Sequence, residues 1–231
     1  MTTLSRPTPD LARPGAPPPF PIAESLCRVV TNRPINDEYR LLVVEADDVA
    51  LAARPGQFFH LLCPHTETDR PFLRRPMSIY RIDLQRRQLG FLYKVVGAGT
   101  RGLATLKPGG TLNALGPLGI GFSPAADARH VLMVARGVGL ATLAPLAQAA
   151  IQDGARVTAV LSARSPDLLM SQDELAQAGA TVITVTDADG SSDPARIRET
   201  LAAIHAATPF DHAATCGSDR LFRLVKSLCA D

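Results

Sequence analysis

Between Cys27 and Phe122 the hydrophobic positions come in short runs cut by turn residues. "CRVVTNRPI", "YRLLVVEA", "GQFFHLLC", "MSIYRI", "LGFLYKVVG" and "GTLNALGPLG" each read as a strand, rich in Val, Ile, Phe and Tyr. Gly and Pro punctuate them at "RPGQ", "KPGG" and "GPLG". Six short strands over about a hundred residues predict a small antiparallel barrel or sandwich.

After "SPAADARH" the period changes. "HVLMVA" is a short apolar run closed by a glycine turn, and "GLATLAPLAQAAIQDG" reads as an Ala/Leu-rich helix ending at Gly154. "RVTAVLSAR" predicts a strand, "SPDLLMSQDELAQAG" a helix ending at Gly179, and "TVITVTD" a third strand. "DPARIRETLAAIHAA" opens with an Asp-Pro pair suited to the N-cap and first helical positions. "FDHAATCG" and "SDRLFRLVKSLCA" complete the series as a strand and a helix. Strands alternating with helices predict a parallel sheet with right-handed crossovers. The fold class expected is therefore two-domain: an antiparallel six-stranded β-barrel, then an α/β parallel-sheet domain. The expected division is a Pro-rich tail over 1–22, the barrel over 23–125 and the α/β domain over 126–231.

Composition narrows the function classes. Of 231 residues, 46% are hydrophobic and 20% charged, with a net charge of +2, which argues neither for nucleic acid nor for a membrane surface. No Trp and three Tyr leave little for stacking bases. No apolar run approaches the length of a membrane span. The first twenty residues lack the apolar core of a signal peptide. Cys27, Cys63, Cys216 and Cys229 lie far apart, so free thiols in a reducing cytoplasm are expected, with no metal site among them. The five histidines (60, 65, 130, 205 and 212) show no ligand spacing and read as packing or surface groups.

"LRRPMSIYRID" at 73–83 sets two arginines inside a strand-like run. A half-buried Arg needs an anion, and its fork fits phosphate or carboxylate. Two readings follow: Arg74 and Arg75 pair with Asp69 or Glu67 in a loop, or Arg75 meets an anionic ligand.

The order barrel then α/β, with its motifs, resembles the ferredoxin–NADP reductase superfamily, and most of all the electron-transfer subunit of the two-subunit dihydroorotate dehydrogenases. "RRPMSIY" resembles the flavin signature of that family, "LYKVVGAGTRGLATLKPG" its second flavin segment and "LGPLGIGF" its glycine turn before the second domain. The resemblance covers roughly residues 24–228. It implies FAD as cofactor. Arg75 would grip its pyrophosphate, with Pro76 completing the signature, Met77 beside the ring and Ser78 near its polar edge. Leu92, Tyr93 and Lys94 would form the second flavin-contacting strand. Gly99 and Thr100 would be the turn whose backbone N–H and hydroxyl reach the phosphates. Arg74, outside the signature, is expected to be solvated or to face a partner.

In relatives the next turn reads G-G-G-x-G-x-A-P. Here Gly137, Val138 and Gly139 are in place, while Ala135, Arg136 and Thr142 stand at two glycines and the proline. Such a turn also serves simple strand-to-helix packing. The resemblance implies a nicotinamide site holding Gly137, Val138, Gly139, Arg164, Cys216 and Gly217, with Cys216 near the hydride-transfer position. Cys216 also reads as a small residue ending a buried strand, and Arg164 as a helix-cap or surface residue. Asp187, Asp189 and Ser191 form a turn by composition.

The resemblance thus implies an enzyme in which NAD(P)H passes a hydride to FAD, and FAD passes electrons to a second redox subunit or iron–sulfur protein. The relatives' cysteine-rich segment has no counterpart up to "SLCAD", so no 2Fe–2S cluster is expected in this chain. Two alternatives stay open: a non-catalytic, FAD-binding or structural subunit that has lost nicotinamide use, and a reductase of free flavin. Arg136 separates the first of them, because a long cation in the turn obstructs nicotinamide unless it swings out or grips a phosphate.

Overall fold

The computed structural model describes residues 21–122 and 128–229. The predicted tail, apart from its last two residues, and the predicted boundary fall outside them. The first half is a seven-stranded antiparallel sheet in the order β4-β3-β7-β1-β2-β6-β5. Its strands are β1 (Ala23–Pro34), β2 (Tyr39–Glu45), β3 (Phe58–Leu61), β4 (Arg75–Ser78), β5 (Arg81–Asp83), β6 (Gln88–Lys94) and β7 (Thr111–Leu118). The two edge strands, β4 and β5, are neighbours in sequence. Ile79 N–H donates to Gln57 C=O by β3, and Tyr80 N–H donates to Gly90 C=O on β6. Consecutive residues therefore reach opposite sides of the sheet, which is curled into a half-barrel. The predicted strand "MSIYRI" is in fact two strands broken at Ile79–Tyr80. Packing decides this: Ile79, fully buried, joins the barrel core, while Tyr80 joins a second core.

Two helices in this half carry too few residues to register as a period. α1 (Asp48–Leu51) is capped by Asp47, whose carboxylate accepts from Ala50 N–H. α2 (Ala98–Ala104) replaces the turn expected at "GAGT". Phe59, Leu61, Phe91, Tyr93, Leu103 and Leu112 fill the barrel.

The second half is a parallel sheet ordered β10-β9-β8-β11. It comprises β8 (His130–Arg136), α3 (Leu140–Gln152), β9 (Arg156–Ala163), α4 (Gln172–Ala178), β10 (Thr181–Thr186), α5 (Pro194–Ala207), β11 (His212–Cys216) and α6 (Asp219–Leu228). Asp193 caps α5 as predicted, accepting from Ala195 and Arg196 N–H, with Pro194 in the first turn. The helix predicted over "SPDLLMSQDELAQAG" is instead a single 3-10 turn (Pro166–Leu168), an extended Leu169 and the shorter α4. Ser171, at φ 62°, makes the break, which turns Leu168, Leu169 and Met170 toward the core.

Alternate residues of β8 and β9 face opposite ways. Val131, Met133, Val157 and Leu161 pack with α3 and with Tyr39, Leu41, Tyr80 and Leu92 of the barrel. Leu132, Val134 and Val160 pack with α5 and α6. One hydrophobic core therefore spans both halves and fixes how they meet.

Candidate functional site

Arg75 begins β4 with its guanidinium lying over Gly99 in the first turn of α2. A Cβ on Gly99 would stand 2.8 Å from Arg75 Cγ and Nε, and 3.2 Å from Cys63 Sγ. Only glycine admits the arginine there. Arg75 Nη1 donates to the carbonyls of Leu73 (2.6 Å) and Arg74 (3.4 Å), and among the described residues it forms no ion pair. The loop reading of the arginines fails: Asp69 is gripped in two-pronged fashion by Arg101 Nε and Nη2, at 2.7 and 2.8 Å. Arg74 corrects the sequence reading too. It is not simply solvated, but donates to Glu24 at 2.5 Å and to Asn113 Oδ1 at 2.7 Å.

Thr100 is buried, and its hydroxyl accepts from Val96 and Gly97 N–H at 2.9 and 3.1 Å while donating to Gly97 C=O. That hydroxyl shapes the loop and is not left to meet a ligand. The first N–H groups of α2 have no intrahelical acceptors. At the other end, Asn32 Nδ2 donates to the Leu103 carbonyl of α2 and to the Leu106 carbonyl just past it, at 2.8 and 3.0 Å. Asn32 Oδ1 also accepts from the Tyr93 hydroxyl at 2.9 Å, and burial raises that phenol's pKa.

The remaining flavin-signature residues divide. Pro76 is exposed opposite His60, and half-buried Met77 packs on the barrel core. Leu92 faces the α/β half. Ser78 Oγ accepts from Thr142 Oγ1 of α3 at 2.9 Å, so the end of β4 touches the helix that follows the glycine turn. Lys94 donates to Glu38 at 2.6 Å, and Arg164 meets the same carboxylate from across the joint. Tyr80 Oη pairs with Ser171 Oγ and donates to Glu174 Oε2 at 2.9 Å, while Arg81 meets Glu174 Oε1 at 2.8 Å. Burial pushes the Tyr80 phenol up to about 12, so it stays a donor at neutral pH.

In the second half, the residues singled out by sequence stand together at the carboxyl end of the sheet: Arg136 ending β8 and Gly137 after it, Arg164 after β9, Asp187 and Ser191 after β10, Cys216 ending β11 and Gly217 after it. The chain order reverses between β8 and β11, which is where open α/β sheets bind ligands. The glycines there also serve packing. A Cβ on Gly137, at φ 52°, would meet Tyr39 Oη at 2.7 Å; one on Gly139 would strike the Cys216 carbonyl, and one on Gly217 the Arg136 carbonyl. Val138 is exposed. Arg136 leaves the turn and pairs with Asp187, which its guanidinium and the Ser192 hydroxyl hold down at about 2. Asp189 is likewise held at about 2 by Ser191 and Thr186 and closes its own turn.

No family model matches the chain. It is 40% identical over 147 residues to the electron transfer subunit of dihydroorotate dehydrogenase B (NAD(+)) from Desulforamulus reducens, covering 64% of this chain and 55% of that one. The same subunit from Streptococcus pneumoniae is 37% identical over 162 residues, covering 69% and 62%. Among solved structures, an NADH-dependent reduced ferredoxin-NADP oxidoreductase aligns with a TM-score of 0.64 at 28% identity, over 77% of this chain and 63% of that one. The ferredoxin reductase of carbazole 1,9a-dioxygenase gives 0.70 at 19%, over 92% and 67%.

The chain is a homologue of the dihydroorotate dehydrogenase B electron transfer subunits, on a ferredoxin–NADP reductase-like fold. It spans about six tenths of the length of these curated relatives. Within this ferredoxin–NADP reductase-like frame, Asn32, Glu38, Tyr39, Tyr80 and Arg220 carry no local sequence signal. Each matters through a contact tens of residues away. No described helix is long and apolar enough to cross a membrane.

Proposed function

We propose that this chain binds FAD on the barrel and works as an NAD(P)H-dependent electron-transfer subunit, passing electrons to a partner redox protein. The observation that supports it is Arg75, a cation with no carboxylate partner among the described residues, held over Gly99 and the open amides of α2. The residues present fit a pyrophosphate there: a planar fork, unsatisfied N–H groups and a glycine permitting close approach. Arg75, Gly99 and the Thr100-shaped loop would hold the phosphates, while Ser78 stands at the end of β4 beside the joint between the halves. The bound flavin supplies the redox chemistry; the chain positions it and its donor. Gly137, Val138, Gly139, Cys216 and Gly217 would receive the nicotinamide dinucleotide at the β8/β11 reversal.

A second reading, a flavin-binding subunit without nicotinamide use, is favoured by Tyr39 and the Cys216 carbonyl filling the space beside Gly137 and Gly139. Obstruction by Arg136 does not add to it, since that side chain is drawn out to Asp187.

Fluorescence titration of FAD tests the flavin site. Arg75→Ala removes charge-assisted bonds worth about 1.5–3 kcal/mol, so affinity should fall on the order of tenfold or more. Unchanged affinity overturns the assignment.

A further inference from the structure

Arg136 runs over the end of β9. Its Nη1 donates to Ser162 Oγ at 2.8 Å and Asp187 Oδ1 at 3.2 Å, and its Nη2 donates to Asp187 Oδ2 at 2.6 Å. Arg220, in the first turn of α6, reaches the same carboxylate at 3.4 Å and Ser192 Oγ at 3.3 Å, while Ser192 Oγ donates to Asp187 Oδ1 at 2.5 Å. Ser162 and Ser192 are both buried, so the hydroxyls that orient the cluster are fixed.

Two guanidiniums share one carboxylate, which leaves one positive charge uncompensated in this cluster. A carboxylate offers about four lone-pair sites, and Asp187 already receives Arg136 twice, Arg220 once and Ser192 once. Three of these bonds fall on Oδ1 and one on Oδ2, so Oδ1 is filled and Asp187 is poorly placed to accept both hydroxyls of a ribose diol. Each guanidinium carries about five N–H donors and keeps some of them free. In dinucleotide-binding α/β folds, the adenosine ribose lies near the end of the second strand. An acid there reads a free 2′-hydroxyl, and an arginine a 2′-phosphate. Here the end of the second strand is β9, and a guanidinium lies over it.

We propose that Arg136 and Arg220 form a phosphate-reading pair, selecting a dinucleotide phosphorylated on its adenosine ribose over the unphosphorylated form. The proposal rests on the nicotinamide reading above and sets this chain apart from relatives whose name carries NAD(+). A phosphomonoester brings about two negative charges, enough to neutralise the excess and compete with Asp187 for both arginines.

Calorimetric titration of the full chain with adenosine 2′,5′-bisphosphate and with 5′-AMP tests it. The bisphosphate should bind at least about tenfold tighter, as expected for charge-assisted bonds to phosphate. The ratio should fall toward one in Arg136→Gly and in Arg220→Ala; the latter lies on the exposed face of α6 and serves where the former fails to fold. Equal binding of the two probes, or a ratio that survives both substitutions, overturns the pair. Equal rates of flavin reduction by NADH and NADPH would leave the nicotinamide reading standing and remove only the phosphate assignment. Failure of both probes to bind and of both dinucleotides to reduce the flavin would remove the two together.

Discussion

Arg74 and Arg75 leave the same bend with different fates. Glu24 lies 50 positions from Arg74 and Asn113 lies 39 from it; the barrel brings both to its guanidinium. Arg75 meets a glycine and a helix start instead. The motif "RRPMS" pointed to an anion site because adjacent cations need anions, and that much is local chemistry. Which arginine was already paired was invisible, since its partners lie on other strands. Thr100 shows the same limit: its hydroxyl is spent on its own loop, which the letters "GAGT" do not reveal. At this scale Gly99→Ala is informative. The added methyl would stand 2.8 Å from Arg75 Cγ and Nε, so the arginine must move. FAD retained through gel filtration should drop on the order of tenfold, as one charge-assisted contact is lost, with little change in melting temperature.

Elements whose ends are set by local chemistry were legible in the sequence. Asp193-Pro194 starts α5, and Gly154 and Gly179 follow the ends of α3 and α4. Elements broken by tertiary packing were not: Ile79 and Tyr80 point into different cores, and Ser171 adopts a left-handed conformation to meet Tyr80. The start of β8 carries a titratable example. His130 is buried, with Nε2 2.9 Å from Thr158 Oγ1 and Nδ1 3.0 Å from Thr208 C=O. Burial lowers its pKa below the ordinary 6.5. The unfolded chain therefore takes up the proton first as pH falls. This contribution to stability is complete above 6.5 and declines as pH drops below it, until the folded form is protonated too. Urea midpoints should fall as pH is lowered through this window, and His130→Gln should flatten the slope. An unchanged slope would place the pH dependence elsewhere.

At the scale of the molecule, a shared core and, among the described residues, three polar joints hold the halves together: Ser78–Thr142, Tyr80–Ser171/Glu174 with Arg81, and Lys94–Glu38–Arg164. Their worth should differ. Tyr80 is buried, so Tyr80→Phe should cost about 1–2 kcal/mol in urea denaturation. The Arg164 side chain is 60% exposed, so Glu38→Gln should cost under about 1 kcal/mol and lose that effect in salt. Equal costs would contradict the ranking. The two-domain order was readable from the change of period after "SPAADARH"; the angle between the halves was not, because these joints link residues 64 to 126 positions apart. That angle decides whether a donor at the β8/β11 reversal can face a flavin on the barrel. The most direct test is a visible spectrum of the FAD-loaded chain under anaerobic conditions, before and after adding a nicotinamide dinucleotide. Bleaching of the flavin bands, faster with NADPH than with NADH, is the predicted result. A flavin that binds yet stays oxidised with both would contradict the account of an NAD(P)H-dependent electron-transfer subunit.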